Sequence, residues 1–164
     1  MKQVILVRHA KSVPYGYDDD FSRGLTDRGE SDAEEIGTQL KKQKVTPGMI
    51  ISSPARRAME TARIFAEALN FPENEIVSVK AIYEGITTSD FIALLHELPE
   101  NLNTVFVFGH NPTIYYLANN LVKFFDGEMP TCSTVGISFS IDRWNQVEAR
   151  RGHLDFHLMP RMFK

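Results

Sequence analysis

Two histidines and three arginines in this chain stand where an apolar run stops. Val4-Ile5-Leu6-Val7 runs into Arg8-His9. Met49-Ile50-Ile51 runs into Ser52-Ser53, with Arg56 and Arg57 just beyond. Val105 to Phe108 runs into Gly109-His110. Arginine's planar fork grips a phosphate through paired N–H donors and neutralises it. A histidine is unprotonated often enough near neutral pH to attack phosphorus. A second histidine, protonated by the nearby anion, can hold charge on the equatorial oxygens. These residue types point to phosphoryl chemistry, provided one fold brings the three places together.

The elements between them meet that condition. Short apolar, β-branched runs read as buried strands, here Val4–Val7, "MIISS", "EIVSVK" and "TVFVFGH". Helical stripes alternate with them. Ala33, Ile36, Gly37 and Leu40 recur at i, i+3, i+4, i+7, with Thr26 as N-cap and Asp27 in the first turn. Ala58, Ala62, Phe65, Ala66 and Leu69 form the next stripe, which stops at Asn70. Phe91, Leu94, Leu95 and Leu98 end before Pro99. Ile114, Leu117, Ala118, Leu121 and Val122 follow Pro112, which suits position N1. "VGISFSI" and "HLDFHLM" then alternate with period two, as half-buried strands do. The reading is an α/β protein, a three-layer α/β/α sandwich whose central sheet is mostly parallel with at least one late strand antiparallel. Parallel strands end on one edge, where open sheets bind ligands, and helix N-termini there add N–H donors for an anion. The loop "AKSVPYGYDDDFSRG" beside that edge is long enough to expect a function.

Bulk properties narrow the classes. The 164 residues suit one domain that buries roughly 70% of its unfolded surface. With 43% hydrophobic and 24% charged residues the chain is globular and not disordered. A net charge of −3 and a pI of 5.9 argue against a broad nucleic-acid-binding face, though not against a local anion pocket. Cys132 is the only cysteine, so no internal disulfide forms. No apolar run suits a signal peptide or a membrane span, and a soluble cytoplasmic protein is expected. The GxxxxGK[ST] phosphate loop is absent, and "CSTVGIS" lacks the arginine of a cysteine phosphatase.

"LVRHAKS", "LTDRG", "SSPARRAMETA" and "VFGHNP" occur in the order of the signature blocks of the histidine phosphatase superfamily (phosphoglycerate-mutase-like), and the whole chain resembles it. The likeness is nearest to the small SixA-like phosphohistidine phosphatase branch, which "MPTCSTVGISFSIDRW" and "FHLMPR" also resemble. The resemblance implies one domain over residues 1–164, with His9 as the phosphorylated nucleophile and Arg8, Arg57 and His110 completing the phosphate pocket. Arg57, not Arg56, takes the arginine place of the S-P-x-x-R-A block. Ala10 replaces the superfamily's usual glycine, as is common in this branch. Arg23-Gly24-Leu25 departs from its frequent Arg-Pro-Leu.

Where the family has a general acid it follows strand three, and Glu84 in "IYEG" is the matching candidate. A phosphohistidine needs little acid, because imidazole leaves readily with a pKa near ~6.5. The lid insertions of larger sugar-phosphate mutases are missing, which implies an open site. The expected activity is metal-independent dephosphorylation of phosphohistidine on a protein, with no cofactor. Alternatives are a broad small phosphomonoesterase, and a non-catalytic phosphate- or phosphoprotein-binding module. Neither nucleic acid nor membrane is an expected partner. Lys11 and Ser12 are candidates to line the pocket. His153, Asp155 and His157 are read as the exposed face of the last strand and not as metal ligands, and His96 as a surface residue.

Overall fold

Along the first strand, β1 (Lys2–Arg8), side chains alternate between two cores, and this alternation organises the fold. Val4 and Leu6 face one side and join Phe91, Leu95, Ile114, Leu117 and Leu121. Ile5 and Val7 face the other and join Ala33, Ile36, Leu40, Ala62 and Phe65. The computed structural model describes residues 1–14, 16 and 19–164. Tyr15, Tyr17 and Asp18, within the long loop expected to be functional, lie outside the described residues.

The remaining strands are β2 (Met49–Ser52), β3 (Val77–Ser78), β4 (Thr104–Gly109), β5 (Thr134–Phe139) and β6 (His153–Leu158). Their order across the sheet is β3-β2-β4-β1-β5-β6. The β1–β4, β2–β4 and β2–β3 pairs are parallel, while β5 runs antiparallel to both β1 and β6. Helices α1 (Asp27–Lys42) and α2 (Arg56–Ala68) cover one face. Helices α3 (Lys80–Glu84), α4 (Thr88–His96) and α5 (Thr113–Leu121) cover the other. This is the expected α/β sandwich with its late antiparallel strand. Both cores are aliphatic and aromatic, and neither uses a disulfide: Cys132 is free and buried.

The local signals explain most boundaries. Thr26 Oγ1 accepts from the Gly29 amide at 3.0 Å and caps α1. Asn70, just past α2, takes φ 57°, a left-handed stop. Four expectations need correction. The third strand is two residues, not six, because it is an exposed sheet edge; Lys80 already starts α3, a helix not anticipated. β5 is buried at every position, because β1 and β6 flank it and helices cover the sheet. Pro112 is the residue before α5, not its first. His96 is half-buried, with Nε2 2.8 Å from the Val147 carbonyl. Among the described residues no helix is long and apolar enough to cross a membrane.

Candidate active site

β1 carries Arg8 to its carboxyl end and His9 one step beyond. The His9 amide donates to the Gly109 carbonyl at 3.0 Å, and its carbonyl accepts from the Cys132 amide at 3.0 Å. The residue is thus clamped between the end of β4 and the approach to β5. Ring Nδ1 lies 2.7 Å from the Ala10 carbonyl. A carbonyl only accepts, so Nδ1 carries the hydrogen and Nε2 keeps a lone pair. Ala10 is itself pinned: its amide donates to Thr61 Oγ1 at 3.0 Å, and that hydroxyl donates to the Arg57 carbonyl at 2.7 Å.

Arg57 opens α2 and is almost fully buried. Its neighbour Arg56 points outward and pairs with Glu60 at 3.2 Å. Arg8 donates from Nη1 to the Met129 carbonyl at 3.0 Å, and Asn111 Nδ2 donates to the same carbonyl at 2.9 Å. His110 follows β4, with its ring centroid 5.3 Å from that of His9. The Nε atoms of Arg8 and Arg57 and Nδ1 of His110 are buried with no hydrogen-bond partner among the described residues. Arg8, His9, Arg57 and His110 line a common cavity of about 290 Å³. Unpartnered buried donors on residues that line a small polar cavity suit an anion pocket.

Asp20 closes one side of this group. Arg57 donates from Nη1 to its main-chain carbonyl at 2.7 Å and from Nη2 to its carboxylate at 3.1 Å. Arg23 Nη2 and the Tyr83 hydroxyl also donate to the carboxylate, each at 2.8 Å. Tyr83 in turn sets its ring edge-on to His110 at 5.7 Å and to Phe21 at 5.3 Å. One carboxylate therefore ties together the loop after β1, the start of α2 and the short helix α3.

Burial and positive neighbours set the charges. Burial foremost, with His110, Arg57 and Arg8 adding to it, lowers the His9 pKa to about 3, although the bond to Ala10 raises it. Burial and then Arg57 push His110 down to about 4. Values this low make both rings neutral at pH 7; the imidazolium expected at the second histidine concerns a ring beside a bound anion. The surrounding arginines oppose a further positive charge on His110. Arg23 first, then Tyr83 and Arg57, hold Asp20 well below the usual carboxylate range.

Arg8, His9, Arg57 and His110, far apart in sequence, are brought together as the strand pattern predicts. Lys11, Ser12 and Arg23 line the same cavity. Lys11 is held by its carbonyl, which accepts from the Thr26 amide at 2.9 Å, while Ser12 bridges to Leu25. Glu84 lines not this cavity but an adjoining one of about 580 Å³, which also touches Tyr83, His110, Asn111 and Tyr116. Its exposed carboxylate sits 3.7 Å from Lys80. Asp155 accepts from Gln3 and Ser138 and lies 4.0 Å from His153. Sequence reasoning missed Asp20, Ser53, Thr61, Tyr83 and Asn111. Thr61 was traceable, since it follows Arg57 by four positions on one helix. Asp20 was one aspartate of three in a row, with nothing to single it out.

The superfamily model for histidine phosphatases (branch 1) matches residues 4–87, and the chain belongs to that superfamily. Over 84 residues it is 33% identical to the serine/threonine-protein phosphatase Pgam5, mitochondrial, of Drosophila yakuba. That match covers 51% of this chain and only 29% of the relative. Among solved structures, the protein histidine phosphatase SixA complexed with tungstate superposes with a TM-score of 0.85 at 23% identity, covering 99% of each chain. A SixA structure from Agrobacterium tumefaciens gives 0.79 at 24%, covering 97% of this chain and 98% of that one. These likenesses establish the fold over nearly the full length.

Proposed function

We propose that this protein is a phosphatase working through a histidine, and that its substrate is a phosphohistidine on a protein. One observation carries the reading. The Nδ1–H of His9 is spent on the Ala10 carbonyl, which leaves the Nε2 lone pair beside three groups with unused buried donors. In this scheme Nε2 attacks phosphorus, the bond to the leaving group breaks, and that group departs with the electron pair. Water then attacks the phosphohistidine on His9 and releases phosphate, restoring the ring. Arg8, Arg57 and His110 hold the charge on the transferring phosphoryl oxygens. The nucleophile and the counter-charges are all side chains of the pocket, so the scheme calls on no metal ion. The resemblance to proteins named SixA supports the substrate class. So does the exposed position of Glu84, since imidazole needs little help to leave.

The test is phosphate release in the presence of EDTA by the wild type and His9→Ala, from a phosphohistidine protein and from p-nitrophenyl phosphate. The proposal expects turnover by the wild type alone, with the phosphohistidine protein preferred. Preference for p-nitrophenyl phosphate makes the protein a phosphomonoesterase. Saturable phosphate binding without turnover of either makes it a binding module.

A further inference from the structure

We propose that Ser53 is a positioning residue that holds His110 in its neutral, Nδ1-protonated form, so that the ring presents an N–H to the phosphoryl group. The catalytic consequence rests on the phosphatase reading above; the proton assignment does not.

The assignment is a count of hydrogens. Ser53 ends the run from β2 and is fully buried, away from solvent. Its amide donates to the Phe108 carbonyl at 2.9 Å, and its carbonyl accepts from Ser52 Oγ at 2.8 Å. Its Oγ accepts from the Ala55 amide at 3.2 Å and lies 2.8 Å from His110 Nε2. A hydroxyl has one hydrogen to donate. Among the described residues the acceptor in reach of that hydrogen is His110 Nε2. The hydrogen therefore lies between Oγ and Nε2, donated by the serine. Nε2 contributes its lone pair, and the neutral ring carries its own hydrogen on Nδ1. Protonating Nε2 as well would aim an N–H at Oγ and strand the serine hydrogen in a buried site.

His110 Nδ1 is buried with no partner among the described residues, on a ring that lines the same cavity as His9. Tyr83 and His9 hold the ring from two sides. Burial and Arg57 disfavour the imidazolium, in agreement with the count. The two histidines thus serve opposite ends of one job. His9, tied to a carbonyl through Nδ1, presents a lone pair at Nε2. His110, receiving from a hydroxyl at Nε2, presents a hydrogen at Nδ1. A neutral donor stabilises phosphoryl oxygens without placing a positive charge beside the nucleophile, which would reduce its basicity.

Ring ¹⁵N NMR on the full chain at pH 7 reads the tautomer directly, in the wild type, Ser53→Ala and Ser53→Thr. The expected wild-type signature is a pyrrole-like Nδ1 and a pyridine-like Nε2 on His110. Ser53→Ala should lose that pattern, and Ser53→Thr, which keeps the hydroxyl, should retain it. Turnover of p-nitrophenyl phosphate should fall about tenfold or more in kcat for the alanine variant, with KM changed less than about threefold, and recover with threonine. A wild-type His110 protonated at Nε2, alone or with Nδ1, overturns the proposal. So does an alanine variant with the wild-type tautomer, or with wild-type kcat. The wild-type spectrum decides the assignment even if the variants misfold or if the protein turns over no phosphate, an outcome that would defeat the phosphatase reading alone.

Discussion

Arg57 donates to Asp20 twice, to the main-chain carbonyl at 2.7 Å and to the carboxylate at 3.1 Å, across 37 positions of sequence. The two Nη atoms are engaged, and Nε is left buried without a partner among the described residues. A guanidinium has two faces for paired acceptors. Asp20 occupies the Nη pair, and the edge carrying Nε remains for an anion.

Neutralising Asp20 should therefore tighten anion binding and not destroy it. In Asp20→Asn the main-chain acceptor for Arg57 is untouched, while a negative charge beside the pocket is removed. Competitive inhibition by inorganic phosphate should strengthen about fivefold, corresponding to ~1 kcal/mol. Weaker inhibition would show that the carboxylate charge is needed to hold the guanidinium in place.

The neighbouring arginines should behave as opposites. Arg57→Ala removes a buried double donor, and kcat/KM should drop about 100-fold or more. Arg57→Lys should rescue little, because a point charge does not reproduce the fork. Arg56→Ala breaks only an exposed pair with Glu60 and should stay within about twofold of wild type. Equal losses from the two alanine variants, measured with one substrate, would contradict the assignment of Arg57 to the pocket.

Acid should weaken the fold through the two site histidines. Both have folded-state pKa values below the ~6.5 of an unfolded histidine, about 3 for His9 and about 4 for His110. The unfolded chain therefore binds more protons, and stability falls as pH drops through 6.5 toward those values. Between pH 7.5 and 5.5 each ring should account for roughly 1 kcal/mol. Urea midpoints at the two pH values measure the total, and His9→Gln should shrink the difference by the share of one ring. A pH-independent midpoint would mean that the rings are not held neutral by burial.

Glu84 should discriminate between leaving groups. Its carboxylate lines the cavity beside the phosphate pocket, within reach of bulk water. Glu84→Gln should change phosphohistidine turnover less than about threefold and lower turnover of an alkyl phosphate by about tenfold or more, since an alkoxide needs a proton to leave. A uniform loss on both substrates would point to a structural role for the carboxylate.

Gly29 should not tolerate a side chain, although it lies inside a helix. A Cβ there would collide with the Lys11 carbonyl oxygen, which also accepts from Thr26. Alanine gains about 1 kcal/mol of helix propensity, but the clash with backbone should cost about 1–3 kcal/mol and displace the segment after His9. Thermal denaturation should show a lower Tm for Gly29→Ala together with reduced turnover; a higher Tm would mean the loop moves aside freely.

Some of this was written in the chain itself. Four apolar residues followed by Arg8-His9, and a second run followed by Gly109-His110, specify strands whose ends carry the reactive groups. A strand covered on both faces feeds two cores at once, so its apolar run is continuous. Arg57 was separated from Arg56 by the likeness to the S-P-x-x-R-A block, not by any local pattern. Other features were decided only in three dimensions. Asp20 meets Arg57 and Tyr83 because the loop after β1 folds back over α2 and α3, and no local pattern encodes that path. β3 is cut short and α3 begins at Lys80, the last residue of the expected strand, since the exposed sheet edge has nothing to pack a longer β3 against. The placement of protons on His9 and His110 is likewise tertiary. It follows from a carbonyl one residue away in one case, which can only accept, and from a hydroxyl 57 residues away in the other, which already accepts from Ala55 and has one hydrogen to give.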